Sequence, residues 1–326
     1  MSRFRWAIGA VAVLVALGAA GWVLTRPEPP SSPASPDPKP DTKPDPKPDA
    51  KPDPKPDTKP DLAATVRMRI VAANLSSGRH QSYDPGHGAR ILDALDPDVV
   101  LFQELNVGDG SDAALKRFVV GTLGTGFHVH RETGAQIPNG IASRWPFREV
   151  GVWEDPLCPN REWVWARIDI PGPTDLWAVS LHLLTRNPAT REKQATGLAA
   201  YVRKHVPESD FLVIGGDLNT RRNDEPALKA LESLVSLRHE PRDARGKRGT
   251  NASRKRPYDW VLPDRDLEAY HVTVEVGGHR FEHGLVFDSR VFEGLDAVSP
   301  VRRGDSGANQ MQHMAIVRDF VIPSAE

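Results

Sequence analysis

Cysteine is nearly missing from this chain. Cys158 is the single one in 326 residues. No disulfide can form within the chain, so a domain of this size has to be stabilised by burial. Net charge is nearly missing as well, with 42 Lys and Arg against 43 Asp and Glu. Residues 62–326 alone carry a net charge of about −2, so no global field draws them to a polyanion. A long apolar run occurs once, at residues 7–24 (AIGAVAVLVALGAAGWVL), with Arg3 and Arg5 before it. No cysteine directly follows that run, which excludes lipid attachment there.

The apolar run reads as a signal peptide or signal anchor over residues 1–26. Its length is close to the roughly 20 residues that span a bilayer. The small residues Ala19, Ala20 and Gly21 would suit cleavage. The arginines would stay on the cytoplasmic side, and the remainder would be exported, periplasmic or extracellular. If the run is retained, a single N-terminal transmembrane helix tethers the protein to a membrane. Residues 27–61 hold 14 of the 30 prolines, and 39–61 read KPDTKPDPKPDAKPDPKPDTKPD. Such a segment cannot bury a core. It is expected to act as an extended stalk, with a polyproline reach of up to roughly 100 Å at ~3.1 Å per residue.

Residues 62–326 form the working domain, and all 11 histidines lie there. Short apolar runs predict strands at 68–76, 98–105, 163–170, 176–184, 211–219, 259–263, 270–276 and 313–322. Helical patterns fall at 88–96, 111–123, 189–206 and 224–237, the second opening on a Ser cap and the last on acidic residues and Pro226. Helices alternating with some strands, and strands paired without helices elsewhere, predict an α/β domain with mixed sheets.

Several predicted strands end on a polar group: Asn74, Glu104, His182, Asp217 with Asn219, and His313, while Asp259 opens another. Each alone could be a cap, a turn residue or a satisfied core group. Taken in order, FQEL (102–105), NGIASRWP (139–146), NRE (160–162), SLHLL (180–184), GGDLN (215–219) and YDWVL (258–262) resemble the endonuclease/exonuclease/phosphatase superfamily, the deoxyribonuclease I-like fold. The resemblance covers residues 66–322. It implies a four-layer sandwich, two mixed β-sheets face to face with helices outside, and a site along one edge.

The resemblance also implies a division of labour for cleaving a phosphodiester. Glu104 would be the primary ligand of Mg²⁺ (or Mn²⁺), with Asn74 beside it and also near the phosphate. Asp217 would orient or deprotonate the attacking water, and Asn219 would hold the phosphate. His182 would donate to a phosphate oxygen or act as an acid. His313 would be the second histidine, with Asp259 holding its tautomer. Arg161 would grip phosphate through its fork, or else is a surface cation. Asn139 would approach the cleft, or else makes a turn. The superfamily's closing motif is Ser-Asp-His; here Met311 and Gln312 precede His313. Gln312 offers only a neutral oxygen, so one metal is expected rather than two.

The substrate is less determined. Residues 242–256 carry seven cations, Arg242, Arg245, Lys247, Arg248, Arg254, Lys255 and Arg256, against Asp243. They could follow a nucleic-acid backbone, or form a solvated loop made mobile by Gly246 and Gly249. The expectation is a monomeric nuclease acting on DNA. A sphingomyelinase-like or other phosphoesterase stands as the alternative, although no exposed aromatic hairpin for lipid insertion is evident; a third reading is a binding module without turnover. His271, His279 and His283 form a loose cluster that would touch the cleft or a second metal, or else consists of solvent-exposed histidines.

Overall fold

A computed structural model describes residues 64–77 and 86–325. The expected signal segment and the whole of the stalk lie outside these residues. No helix among the described residues is long and apolar enough to cross a membrane.

The chain lays down β1 (Thr65–Asn74), β2 (Val99–Gln103), β3 (His128–Arg131) and β4 (Gly140–Ser143) before changing sheets. The next five strands, β5 (Phe147–Trp153), β6 (Trp163–Ile168), β7 (Leu176–His182), β8 (Phe211–Asp217) and β9 (Asp259–Pro263), form the second sheet in sequence order. The chain then returns through β10 (His271–Val272), a hairpin of β11 (Val274–Val276) and β12 (His279–Phe281), β13 (Leu285–Phe287) and β14 (Ala315–Pro323). The first sheet runs β10-β14-β1-β2-β4-β3, with β13 also paired to β14. Both sheets are mixed: β1 pairs parallel to β2 but antiparallel to β14, and β7 pairs parallel to β8 but antiparallel to β6.

Alternation on the strands builds the layers. β1 sends Met68, Ile70 and Ala72 between the sheets, where they meet Val164, Ala166, Ala178 and Val213. Its opposite face, with Val71 and Ala73, packs under α1 (His87–Leu95) and α2 (Asp112–Leu123). On the far side, α3 (Pro188–His205) and α4 (Pro226–Leu231) lay Ala195, Leu198, Val202 and Leu228 over Val179, Leu212 and Ile214. The expected four-layer sandwich is therefore present. A short α5 (Arg265–Glu268) links β9 to β10.

Local chemistry sets the helix starts. Ser111 Oγ accepts from Ala114 N at 3.1 Å and opens α2, and Asn187 Oδ1 does the same for Thr190 N at 2.9 Å before Pro188 opens α3. Two expectations change. The run 270–276 is two strands, β10 on β14 and β11 on β12, because Thr273 is a hand-over between partners. The helix expected over 224–237 stops at Leu231, and the chain then turns so that Ser236 N bonds Pro263 O.

Candidate active site

Strand register brings the polar ends together. Asn74 lies level with Gln103, next to Glu104, at the carboxyl ends of parallel β1 and β2. In the facing sheet His182 is level with Asp217 at the carboxyl ends of β7 and β8, and Asp217 pairs with Asp259 at the start of β9. Asn251 bridges to His313 just before β14. Crevices outside the carboxyl ends of strands are where open α/β sheets bind ligands.

The Gly-Gly of GGDLN makes this close approach sterically feasible. A side chain at Gly215 would start 2.6 Å from Leu101 Cδ1 and from Trp260 O. At Gly216, where φ is +125°, a Cβ would meet Leu181 O at 2.3 Å and Gln103 Nε2 at 2.4 Å. One layer beneath the site, Gln103 Nε2 donates to Ser180 Oγ at 2.9 Å, and Ser180 donates to Phe102 O at 2.7 Å. These bonds lock the two sheets to one another. Three strand ends then turn through left-handed backbone at non-glycine residues: Ser76 (φ 55°), Glu104 (φ 54°) and Asn219 (φ 51°). Such conformations cost of order 1–3 kcal/mol each and cluster at functional sites.

Asp217 is the hub. Its Oδ2 accepts from Asn74 Nδ2 at 3.0 Å and lies 3.1 Å from His182 Nε2 and 3.6 Å from His313 Nε2. Its Oδ1 accepts from Asn219 N at 2.8 Å. Burial alone would raise its pKa, but His313, His182 and the Asn219 amide outweigh that and hold it at about 2. Asn74 also reaches Glu104 Oε1 at 3.4 Å, so one carboxamide spans the carboxylates of both sheets.

Behind the hub, His313 Nδ1 sits 3.0 Å from both oxygens of Asp259. Thr250 fixes that carboxylate by donating Oγ1 to Oδ2 at 2.6 Å and accepting from Asp259 N at 2.9 Å. Burial disfavours charge on His313, yet Asp259 and Asp217 together raise its pKa to about 9. Burial pushes Asp259 the other way, up to about 6. The two groups share one proton, and it rests on His313 because two carboxylates face that ring. His182 is different: burial lowers its pKa, so its ring is neutral and donates Nε2–H to Asp217. Its Nδ1 is buried with no partner among the described residues.

The raised His313 pKa has a consequence for stability. A group whose pKa is higher when folded stabilises the fold below its unfolded value, here 6.5, and loses that contribution as pH rises through the folded value. The unfolding free energy measured in EDTA should therefore fall between pH ~6.5 and ~9. His313→Gln should flatten this window, and a wild-type curve already flat there would refute the assignment.

Asp217, Asp259 and His313 place ligand atoms within 4.8 Å of one another, a spacing that could hold an ion. A protonated imidazole does not ligate, however, and His313 is already bonded to Asp259. The oxygen donors of Glu104 and Asp217, joined by Asn74, fit a hard divalent cation better.

Several residues expected at the site face elsewhere. Arg161 is buried, and its fork is spent on the backbone: Nε donates to His182 O at 2.5 Å and Nη2 to Leu183 O at 2.9 Å. It clamps the end of β7 and is not a surface cation. Asn219 Nδ2 donates to Leu183 O at 2.9 Å, so its carboxamide steadies the same turn. Asn74 Oδ1 accepts from Ser76 N at 2.8 Å, which leaves its nitrogen, rather than its oxygen, toward the carboxylates. Asn139 is fully buried and donates to Glu162 O at 2.6 Å. Gln312 is exposed, and its backbone N bonds Ser76 Oγ at 3.0 Å.

The basic segment is not a mobile loop. Gly249 leaves no room for a side chain against the Arg254 backbone, and Thr250, Asn251 and Ala252 are tied to residues 312–314. Arg254 is largely buried between Asp243 and Asp288, which removes it from any contact with a ligand. The other six cations are exposed, and Arg248 pairs with Glu240. Sequence reasoning missed Thr250 because it is one hydroxyl inside a run of cations. Only the pairing of its segment with His313 reveals it. Tyr258 was missed too: its ring centroid lies 5.9 Å from that of His313.

Comparison with known proteins agrees with the geometry. The model of the Endonuclease/Exonuclease/phosphatase family matches residues 71–284. Among solved structures, an endonuclease/exonuclease/phosphatase from Beutenbergia cavernae is 19% identical, with 79% of this chain and 72% of that chain covered and a TM-score of 0.53. A family protein from Bacteroides thetaiotaomicron is 12% identical over 79% and 99%, with a TM-score of 0.55. Truncated TDP2 from Caenorhabditis elegans is 14% identical over 78% and 97%, with a TM-score of 0.54. At these identities the structures establish a shared fold. No curated protein matches the chain by sequence. The family match spans well over half of the chain and takes in β2, β7, β8 and β9 with the carboxylates and the imidazole at their ends; this chain belongs to the endonuclease/exonuclease/phosphatase family, whose members are hydrolases of phosphoester bonds.

Proposed function

We propose that this protein is an exported, divalent-metal-dependent phosphodiesterase that hydrolyses DNA. The observation that carries the reading is Asp217, an ionised buried carboxylate held simultaneously by Asn74, His182 and Asn219 and facing the imidazolium of His313.

Glu104 and Asp217 would hold Mg²⁺ or Mn²⁺, while the Asn74 amide nitrogen bonds both carboxylates and does not ligate. Such an ion, when bound, neutralises charge on the phosphate. The remaining steps belong to the chain. Asp217 stays ionised and accepts a hydrogen bond from the attacking water, orienting it in line with the departing oxygen. His182, neutral and fixed on Asp217, shapes the wall of the site. His313 carries the proton, so it is the group that donates to a phosphate oxygen or to the leaving group. Asp259 and Thr250 keep that ring in place and stabilise its charge.

The choice of DNA rests on the rim. Arg242, Arg245, Lys247, Lys255 and Arg256 are exposed on a segment whose residues 250–252 are tied to residues 312–314, which supports reading it as a cationic edge of the cleft. Plasmid DNA incubated with the full chain should be cut in Mg²⁺ or Mn²⁺ and left intact in EDTA. Glu104→Ala should slow cutting by on the order of 10²-fold or more, the scale for losing a charge-stabilising group. Turnover of sphingomyelin without DNA cleavage would replace the DNA reading with a lipid one. DNA binding without cleavage in any metal would make the protein a binding module.

The rim gives a separate prediction. Changing those five residues to Gln should reduce the slope of log K against log salt by roughly 0.9 for each cation that contacts phosphate on a duplex. An unchanged slope would mean that the segment only supports His313.

A further inference from the structure

A second group of histidines lies at the other end of the sandwich. His239 follows α4, His271 opens β10, and His283 lies between β12 and β13. The His239 ring is 4.2 Å from that of His271 and 5.4 Å from that of His283, centroid to centroid. His239 and His271 border an open cavity of about 670 Å³ that is also lined by Glu268, Glu275, Glu282, Arg67, Arg238 and Arg280. His271 is level with Phe320 on β14, and Phe320 with Met68 on β1. Asn74 is six residues further along β1, so at ~3.3 Å per residue the two sites are about 20 Å apart.

The hydrogen bonds assign the tautomers. His239 Nδ1 faces the carboxylate of Glu268, an acceptor, so Nδ1 is a donor there and Nε2 is the nitrogen left for a ligand. His271 Nε2 lies 2.9 Å from Glu282 O, again an acceptor, so its lone pair is on Nδ1. That Nδ1 is buried with no partner among the described residues. An imidazole that gives one nitrogen's proton to a carboxylate or carbonyl and keeps a bare lone pair on the other is prepared as a metal ligand. Glu268 is itself held by Arg318 Nη2 at 3.1 and 3.2 Å, which fixes the support behind His239. Of the three arginines that line the cavity, Arg67 is paired with Asp319 and Arg280 with Glu275, and Arg238 is exposed, facing a lining that also holds Glu268, Glu275 and Glu282.

We propose that His239 and His271, joined by the exposed His283 on rotation of its side chain, form a binding site for a divalent ion of the zinc class, distinct from the candidate active site. Nitrogen donors select Zn²⁺, Ni²⁺ or Cu²⁺ over Mg²⁺. The ion would tie the turn after α4 to the start of β10 and to the β12–β13 connection. It brings no reacting group to Glu104 or Asp217.

The test is Zn²⁺ binding to the full chain, by calorimetry in excess Mg²⁺, with parallel thermal melts. In a Glu104→Gln/His313→Gln background, which disables the candidate active site, one equivalent of Zn²⁺ should still bind and raise the melting temperature. His239→Asn/His271→Asn should weaken that binding by ~10²-fold or more, since even the outer partners of ligands change affinity by 10–100-fold. Unchanged Zn²⁺ affinity in this variant, or loss of the Zn²⁺ equivalent in the Glu104→Gln/His313→Gln background, would overturn the proposal. Should the paired histidine variant not fold, His283→Asn provides the same decision. Its side chain is exposed, its fold and phosphodiesterase rate should be unaltered, and its Zn²⁺ affinity should drop by about tenfold. Equal affinity in His283→Asn and the parent chain would remove the site.

Discussion

His313→Gln is expected to lower the rate of phosphodiester hydrolysis by roughly 10²–10⁴-fold, the range for a positioned acid–base group. The ring is the one buried imidazole in the candidate site that holds a proton at neutral pH, because Asp259 and Asp217 both face it. Glutamine can still bond Asp259 but cannot carry or release that proton. The substitution also leaves the buried Asp259 carboxylate with neutral partners only, the glutamine and Thr250, and breaking a buried charge pair costs about 3–5 kcal/mol. A loss of activity could then be confused with a loss of fold. The double variant His313→Gln/Asp259→Asn separates the two. With the buried carboxylate removed, it should regain much of the lost stability in a denaturant titration while its rate stays low. Full activity in a well-folded His313→Gln protein would show that this ring has no chemical role.

Gly216→Ala should be nearly as damaging by an unrelated route. Position 216 combines φ +125° with two contacts under 2.5 Å for any added carbon, one of them to the Leu181 carbonyl. Backbone strain of 1–3 kcal/mol and overpacking of similar size together put the loss at about 3–5 kcal/mol. The displaced Gln103 side chain is half of the polar link between the sheets, so its bond to Ser180 would go as well. Gly246→Ala makes the comparison: its φ is +77° but its surroundings are open, so it should cost only the strain. Equal melting temperatures for Gly216→Ala and Gly246→Ala would refute the crowding argument.

These two positions illustrate what the sequence made legible. Continuous apolar runs marked β2, β7 and β8 because strands buried on both faces have no polar alternation to blur them. The polar residue at each strand end was then conspicuous, and Asn74, Glu104, His182, Asp217, Asp259 and His313 do converge. β3, with His128, Val129, His130 and Arg131, was invisible because it contains a single apolar residue. β4 gives no strand signal because Asn139-Gly140 looks like a turn, although Gly140 opens a fully buried strand. Within the site, residue type pointed to a neighbourhood but not to the partner of each atom. Arg161 and Asn219 lie where expected and spend their donors on the carbonyls of His182 and Leu183. Backbone acceptors carry no signature in a sequence, so this diversion could not be read in advance. The basic segment misled for a related reason. Its glycines suggested slack, whereas Gly249 is there because Arg254 folds back over it.

The bond from Asn74 to Asp217 crosses from one sheet to the other. Glu104, Asn74 and His313 come from one layer, and His182, Asp217 and Asp259 from its neighbour. Neither half of the sandwich is a catalyst by itself. A proteolytic nick or a folding intermediate that let the layers part would separate Asn74 and Glu104 from Asp217 and leave neither set of side chains with its partners.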